Sequence, residues 1–140
     1  MTGRARAEAG SRDAGAALLS EEEVLVRDSA RRAARSILGA TAAERDRSKA
    51  WPHAELAEMA RLGFMGMLTP EAYGGSGGSF FAYCLALEEI AAADCGAGTI
   101  IHVHNTALYG IARHGSEEQK QRWLPPGARG ERIGAWLLTE

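Results

Sequence analysis

The sequence predicts an all-α fold, a helical bundle that ends in one orphan β-strand. Three observations predict it. Ser20-Glu-Glu-Glu23 and Ser116-Glu-Glu-Gln119 are capping boxes, in which the serine hydroxyl and the Glu or Gln three residues on satisfy orphan amides at a helix start. Apolar residues recur at helical spacing over most of the chain. Only Ile133 to Glu140, short, apolar and aromatic, reads as a strand, and no earlier segment offers it a partner. An unpaired strand leaves its N–H and C=O groups open, so this one is expected to join a sheet supplied by later sequence, with the chain as the truncated first part of a larger enzyme.

Residues 1–19 are rich in Ala, Arg and Gly and lack an apolar h-region, which predicts a disordered tail rather than a targeting peptide. The first helix runs from the Ser20 box to Leu38, with Val26, Ala30, Ala33 and Ile37 on one face and Gly39 as a left-handed stop. A weaker polar stretch, Ala40 to Ala50, precedes Trp51-Pro52, where proline opens a short helix through Leu62. Leu56, Met59 and Ala60 face its core, and Gly63 closes it. Phe64 to Gly78 holds too much Gly for a regular element and reads as a loop. Ser79 caps an apolar helix to Ala93, and another runs from about Gly98 to His114; both are expected to be buried. The Ser116 helix should stop at Leu124-Pro125-Pro126, because proline disfavours helical geometry in the residue before it. The expected organisation is a tail over 1–19, a helical domain over 20–131 and the start of a β domain over 132–140.

Composition narrows the function. The 140 residues carry 16 basic and 18 acidic side chains, a net charge of −2, without the basic surface that phosphate-backbone binding requires, so nucleic acid is not expected as a partner. Cys84 and Cys95 lie in apolar helical text and not in a CxxC pair, which predicts buried free thiols in a reducing compartment. The longest apolar run, Phe80 to Leu87, falls short of the roughly 20 residues of a membrane span. A soluble, cytoplasmic protein without a membrane partner is expected.

The residues alone assemble no catalytic set. Gly74-Gly-Ser-Gly-Gly78 invites comparison with a phosphate loop, but the Lys-Ser/Thr ending and the GxGxxG spacing are missing and no strand precedes it, so an interhelical turn is expected. His102 and His104 stand two apart, about 200° around a helix, and cannot share one metal ion. Thr99, His102, His104 and Asn105 are polar groups on an apolar helix that must find partners or line a cavity, and on the residues alone satisfied core positions are the preferred reading. Glu88 and Glu89 diverge by about 100° and read as a solvated helix edge.

Taken in order, Gly63-Phe-Met-Gly66-Met-Leu-Thr-Pro70-Glu-Ala-Tyr-Gly-Gly75, Leu87-Glu-Glu-Ile-Ala91, Val103-His-Asn-Thr106, Gly115-Ser-Glu-Glu-Gln-Lys120 with Trp123-Leu-Pro-Pro126, and Leu138-Thr-Glu140 resemble the acyl-CoA dehydrogenase family over roughly residues 20 to 140. The resemblance implies an FAD-dependent subunit with an N-terminal helical domain, a middle β domain and a C-terminal helical bundle, usually a homotetramer. It implies α,β-dehydrogenation of an acyl-CoA thioester to the trans-2-enoyl product, by a glutamate base in the C-terminal domain and hydride transfer to the flavin. Trp136, Leu138 and Thr139 fall where the family strand passes the isoalloxazine ring, with Thr139 a hydrogen-bond donor to it. Thr99, His102, Val103 and Leu108 fall on the helix that walls the acyl-chain cavity, which raises the pocket reading of that cluster above the core reading, and His102 suggests a short or polar pocket bottom. Implied partners are acyl-CoA, further copies or a complementing downstream fragment, and an electron-transfer flavoprotein. The alternative is a non-catalytic helical module or gene remnant docking on full-length subunits through its strand edge.

Overall fold

A computed structural model describes residues 18–137 and Thr139. Most of the expected tail, together with Leu138 and Glu140, lies outside the described residues. Among the described residues six α-helices follow in order: α1 (Glu21–Ala33), extended by a π-helical turn over Ala34–Gly39, α2 (Ala42–Ser48), α3 (His53–Arg61), α4 (Phe80–Ala93), α5 (Cys95–His114) and α6 (Glu117–Ala128), with a 3-10 turn at Glu71–Tyr73. Among the described residues the fold is all-α.

Both capping boxes form. Ser20 N–H donates to Glu23 Oε2 at 2.8 Å while Glu23 N–H donates to Ser20 Oγ at 3.3 Å, and Ser116 with Gln119 repeats the exchange at 2.8 and 3.3 Å. From that start α1 presents Ala30 and Ala33 to the core, with Val26 and Ile37 half-buried beside them. It packs most extensively on α4, α4 packs on α5, and α5 on α6. Leu38, Met59, Met65, Ile90 and Ile101 are fully buried between them, each such side chain contributing about 1.5–3 kcal/mol by leaving water.

Several expectations are corrected. Gly39 does not adopt a left-handed conformation. The chain leaves α1 through the wider π-helical turn, which keeps Ala34 and Leu38 fully buried. The Ser36 hydroxyl bonds back to the carbonyls of Arg32 and Ala33 there. Secondly, α6 does not stop at Leu124 but runs through Pro125 and Pro126 to Ala128. Proline's φ already suits a helix, and continuing buries Leu124, Gly127 and Ala128. Thirdly, Cys84 and Cys95 are exposed, because α4 and α5 bury only the faces carrying Tyr83, Ala86 and Ile90, and Ala97 and Ile101. Lastly, Glu89 is no solvated edge: the Arg31 guanidinium donates to both its oxygens, at 2.5 and 2.9 Å, and this pairing holds the Glu89 carboxyl below its usual range. Residues 133–137 form no strand, since a strand is defined by a ladder and no described segment pairs with them.

The polar stretch after Gly39 forms α2, which has no buried residue and ends at Lys49 in a left-handed conformation. Its Arg45 holds it down, donating to Asp94 Oδ2 and Glu55 Oε1 at 2.5 Å each, to Leu38 O at 2.7 Å and to the Thr41 hydroxyl. Asp94 also caps α5 by accepting from Ala97 N–H at 3.0 Å, which starts that helix at Cys95, three residues before the expected Gly98.

In the glycine-rich loop every amide from Gly74 to Gly78 is spent on a carbonyl of the same loop, those of Glu71, Pro70, Gly66, Thr69 and Met67 in turn, at 2.9–3.3 Å. None is left to cradle a phosphate. Gly75 lies so close to the Thr69–Gly66 backbone that a Cβ there would stand 2.1 Å from Thr69 O and 2.6 Å from Gly66 O. Gly75→Ala is therefore expected to lower unfolding stability by about 3 kcal/mol. Gly74→Ala, which meets no atom within 4 Å but has φ +81°, is expected to lose only about 1 kcal/mol. Equal midpoints for the two variants in urea unfolding would contradict this packing role.

Candidate functional site

The twenty residues of α5 carry two different polar sets on opposite faces. The outer stripe holds Thr99, His102, Val103 and Thr106, at the i, i+3, i+4, i+7 spacing of one helix face. Thr99 and His102 are exposed, and Val103 and Thr106 half-buried. The threonine hydroxyls are used by the helix itself, Thr99 donating to Cys95 O and Thr106 to His102 O, both at 2.9 Å. The His102 imidazole is held from α4: its Nδ1 lies 2.8 Å from the Tyr83 hydroxyl, and the two rings stack with centroids 6.3 Å apart. Burial, with the neighbouring Cys84, pushes the Tyr83 phenol up to about 12 against the opposing Thr106 hydroxyl. The phenol stays protonated and shares one hydrogen bond with Nδ1, its direction set by the imidazole tautomer. The outer stripe is thus a wall of Val103, two hydroxyls already satisfied by the helix, and one imidazole oriented by Tyr83.

Leu108 is not part of that wall. It is nine residues from Thr99, half a turn out of phase, and packs at the α5–α6 contact, where a Cβ on Gly127 would meet its Cδ2 at 2.6 Å. The structure brings Thr99, His102 and Val103 together and sets Leu108 behind them.

The inner face carries His104 and Asn105, both fully buried. Asn105 Oδ1 accepts from Met67 N–H at 3.1 Å, and its amide donates to Phe64 O at 2.9 Å and Ile101 O at 3.0 Å, which ties the 64–67 turn to α5. Gly134 N–H donates to His104 Nδ1 at 2.8 Å, so the proton is on Nε2, which donates to Gly127 O at 3.1 Å. Burial lowers the His104 pKa, with the Gly127 and Met65 backbone contacts opposing. The unfolded chain therefore holds this proton more tightly than the folded one, and stability should fall as pH drops below the free-histidine value of about 6.5, by at most about 1.4 kcal/mol per pH unit. Urea unfolding from pH 7.5 to 5 checks it. His104→Asn should flatten the slope, and an equal slope in that variant would assign it to other groups.

Trp136, half-exposed, lies over α5 at Gly110, where a Cβ would stand 2.8 Å from its ring. Thr139 is exposed, and Leu138 lies outside the described residues. An indole edge and a hydroxyl on one short segment suit the rim of a planar heteroaromatic ring. Residues 133–139 contain no cation for a diphosphate. Sequence reasoning placed His102 and His104 in one polar cluster and overlooked Tyr83. A tyrosine within an apolar helix, whose hydroxyl needs a partner once buried, was the available signal.

This bundle, with α5 as its central wall, matches the model of the acyl-CoA dehydrogenase N-terminal domain over residues 20–131. The chain belongs to the acyl-CoA dehydrogenase family. Within it, the short-chain-specific acyl-CoA dehydrogenase of Clostridium acetobutylicum is 38% identical over 123 residues, which are 87% of this chain and 32% of that protein. The glutaryl-CoA dehydrogenase of Mycobacterium smegmatis superposes with a TM-score of 0.78 at 39% identity, covering 84% of this chain and 30% of the other. The butyryl-CoA dehydrogenase of Megasphaera elsdenii gives 0.80 at 31% identity, covering 87% and 33%. This acyl-CoA dehydrogenase domain therefore spans about a third of the length of the relatives it matches.

Proposed function

We propose that the chain is the N-terminal helical domain of an FAD-dependent acyl-CoA dehydrogenase, which converts an acyl-CoA thioester to the trans-2-enoyl thioester. The observation that carries this reading is the match of the whole helical bundle, residues 20–131, to that domain. The glutamate base is assigned to a part of the protein beyond this chain, so no catalytic residue is proposed here. FAD supplies the hydride acceptor when bound. Trp136, Leu138 and Thr139 would hold the rim of its ring, with the Thr139 hydroxyl donating.

Thr99, His102 and Val103 would wall the acyl chain, with Leu108 supporting α5 from behind. With the Tyr83 hydroxyl donating to Nδ1, His102 would present an Nε2–H where a long saturated chain would need only methylenes, and an unpaired buried donor is unfavourable. A short acyl group, or one with a polar end, fits that wall. The short-chain and glutaryl specificities named for the relatives support the same class. Assembly as a homotetramer and electron delivery to an electron-transfer flavoprotein belong to the same proposal. Among the described residues no helix is long and apolar enough to cross a membrane; a cytoplasmic location is proposed with the rest.

The test is flavin absorbance of the full-length protein on adding butyryl-CoA or palmitoyl-CoA. Bound FAD that is bleached by butyryl-CoA and hardly by palmitoyl-CoA is expected. A protein that retains no flavin, or one bleached equally well by palmitoyl-CoA after His102→Val and before it, would count against the reading or its substrate class respectively.

A further inference from the structure

Three separate pieces of chain meet at the imidazole of His104. It sits on the inner face of α5, fully buried. Its Nε2–H donates to Gly127 O near the end of α6, and its Nδ1 accepts from Gly134 N–H, the start of the segment that carries Trp136. Glycines make this approach possible. A Cβ on Gly134 would stand 2.9 Å from Ala107 Cβ, and one on Gly110 would strike the Trp136 ring at 2.8 Å, so the segment lies directly on α5. Among the described residues no ladder holds 133–137, and the Gly134 to His104 bond is the hydrogen bond that joins their backbone to the helix.

We propose that His104 is a positioning residue that seats residues 133–137 on α5 and thereby fixes where Trp136 stands, in register with the outer stripe of Thr99, His102 and Val103 on the same helix. The proposal deepens the flavin reading above and rests on it for its functional consequence. The same rigid helix then carries the acyl wall on one face and anchors the ring-contacting segment on the other. The imidazole suits this because one nitrogen accepts while the other donates, a combination that no single-atom polar group offers in that geometry.

The two contacts can be separated. In His104→Asn the side-chain oxygen can replace Nδ1 as acceptor for Gly134, whereas in His104→Gln the terminal amide can replace Nε2 as donor to Gly127 O and leaves Gly134 N–H unpaired. With 5-fluorotryptophan in the three tryptophan positions, the fluorine resonance of Trp136, identified from Trp136→Phe, reports its solvent exposure through the H2O/D2O shift. His104→Asn is expected to keep the parent value, and His104→Gln to move to that of a free side chain. In the full-length protein, FAD affinity should fall roughly tenfold in His104→Gln and little in His104→Asn, the worth of about one hydrogen bond in a buried site.

In the unaltered protein the Gly134 N–H to His104 Nδ1 bond should give a measurable nitrogen–nitrogen coupling, which needs no variant to fold. Absence of that coupling, or an unmoved Trp136 resonance in His104→Gln with helical circular dichroism intact, overturns the proposal. A Trp136 response in the expected order from a full-length protein that binds no FAD would uphold the seating role and remove the flavin reading alone.

Discussion

Asn105→Ala is expected to lower the stability of the domain by about 3–4 kcal/mol, the largest single effect among its polar residues. The side chain is fully buried and makes three hydrogen bonds, two of them to the turn that follows α3, at Met67 N–H and Phe64 O. Removing it leaves a buried N–H and a buried C=O unpaired, at about 1–3 kcal/mol each, and adds a small cavity. The turn also carries Met65 and Met67 into the core, so its loosening should be felt by α4 as well. Thermal and urea unfolding measure the loss. A variant within 1 kcal/mol of the parent would mean that water or a shifted backbone replaces the amide.

Arg45→Met is expected to follow, at about 2–3 kcal/mol. The guanidinium is only 10% exposed and sits between Asp94 and Glu55, at 13% and 21%. Methionine keeps much of the stem and removes the charge, leaving two carboxylates facing each other in a partly buried site. The figure is set below that for a fully buried pair because Glu55 reaches water. The Asp94 and Glu55 carboxyls are held below their usual range: for Asp94, burial is the largest single influence and pushes upward, but the Ala97 N–H and Arg45 contacts together outweigh it, and for Glu55 its own backbone amide leads, ahead of Thr41 and Arg45, again over burial. Both shifts should shrink in the variant. Since depressed carboxylate values add stability above the unfolded value of about 4 and lose it below, the parent's advantage over Arg45→Met should narrow as pH falls under 4. A difference that stays constant from pH 7 to 3 would show that the clasp acts through packing and not charge.

How much of this was legible beforehand can be judged residue by residue. Ser20, Ser79 and Ser116 announced three helix starts correctly because a cap is a bargain struck within four residues. Leu56, Met59 and Ala60 were readable as core for the same local reason, a repeat near 3.6. Asp94 was an equally good cap signal that went unused, at the cost of three residues of α5. Tyr83 and Arg45 were not legible in this way. Their partners lie 19 and 49 residues away, at His102 and Asp94, and no spacing rule links them.

The amino-acid sequence by itself determined the all-helical class, the capped starts, the apolar stripes and, through five ordered motifs, the family. These are short-range properties, written in hydrogen-bond caps and in the period of a helix. Only the tertiary structure decided that α1 ends in a π-helical turn, that α6 runs through two prolines, and that a stretch with no buried residue becomes α2. It alone separated His102, facing outward beside Tyr83, from His104, buried between α6 and the segment bearing Trp136. Each of those choices opposes or ignores a local preference worth a few kcal/mol at most, and each is made where burial of Leu38 or Leu124, or the charge of Asp94, supplies a comparable free energy from a distant part of the chain.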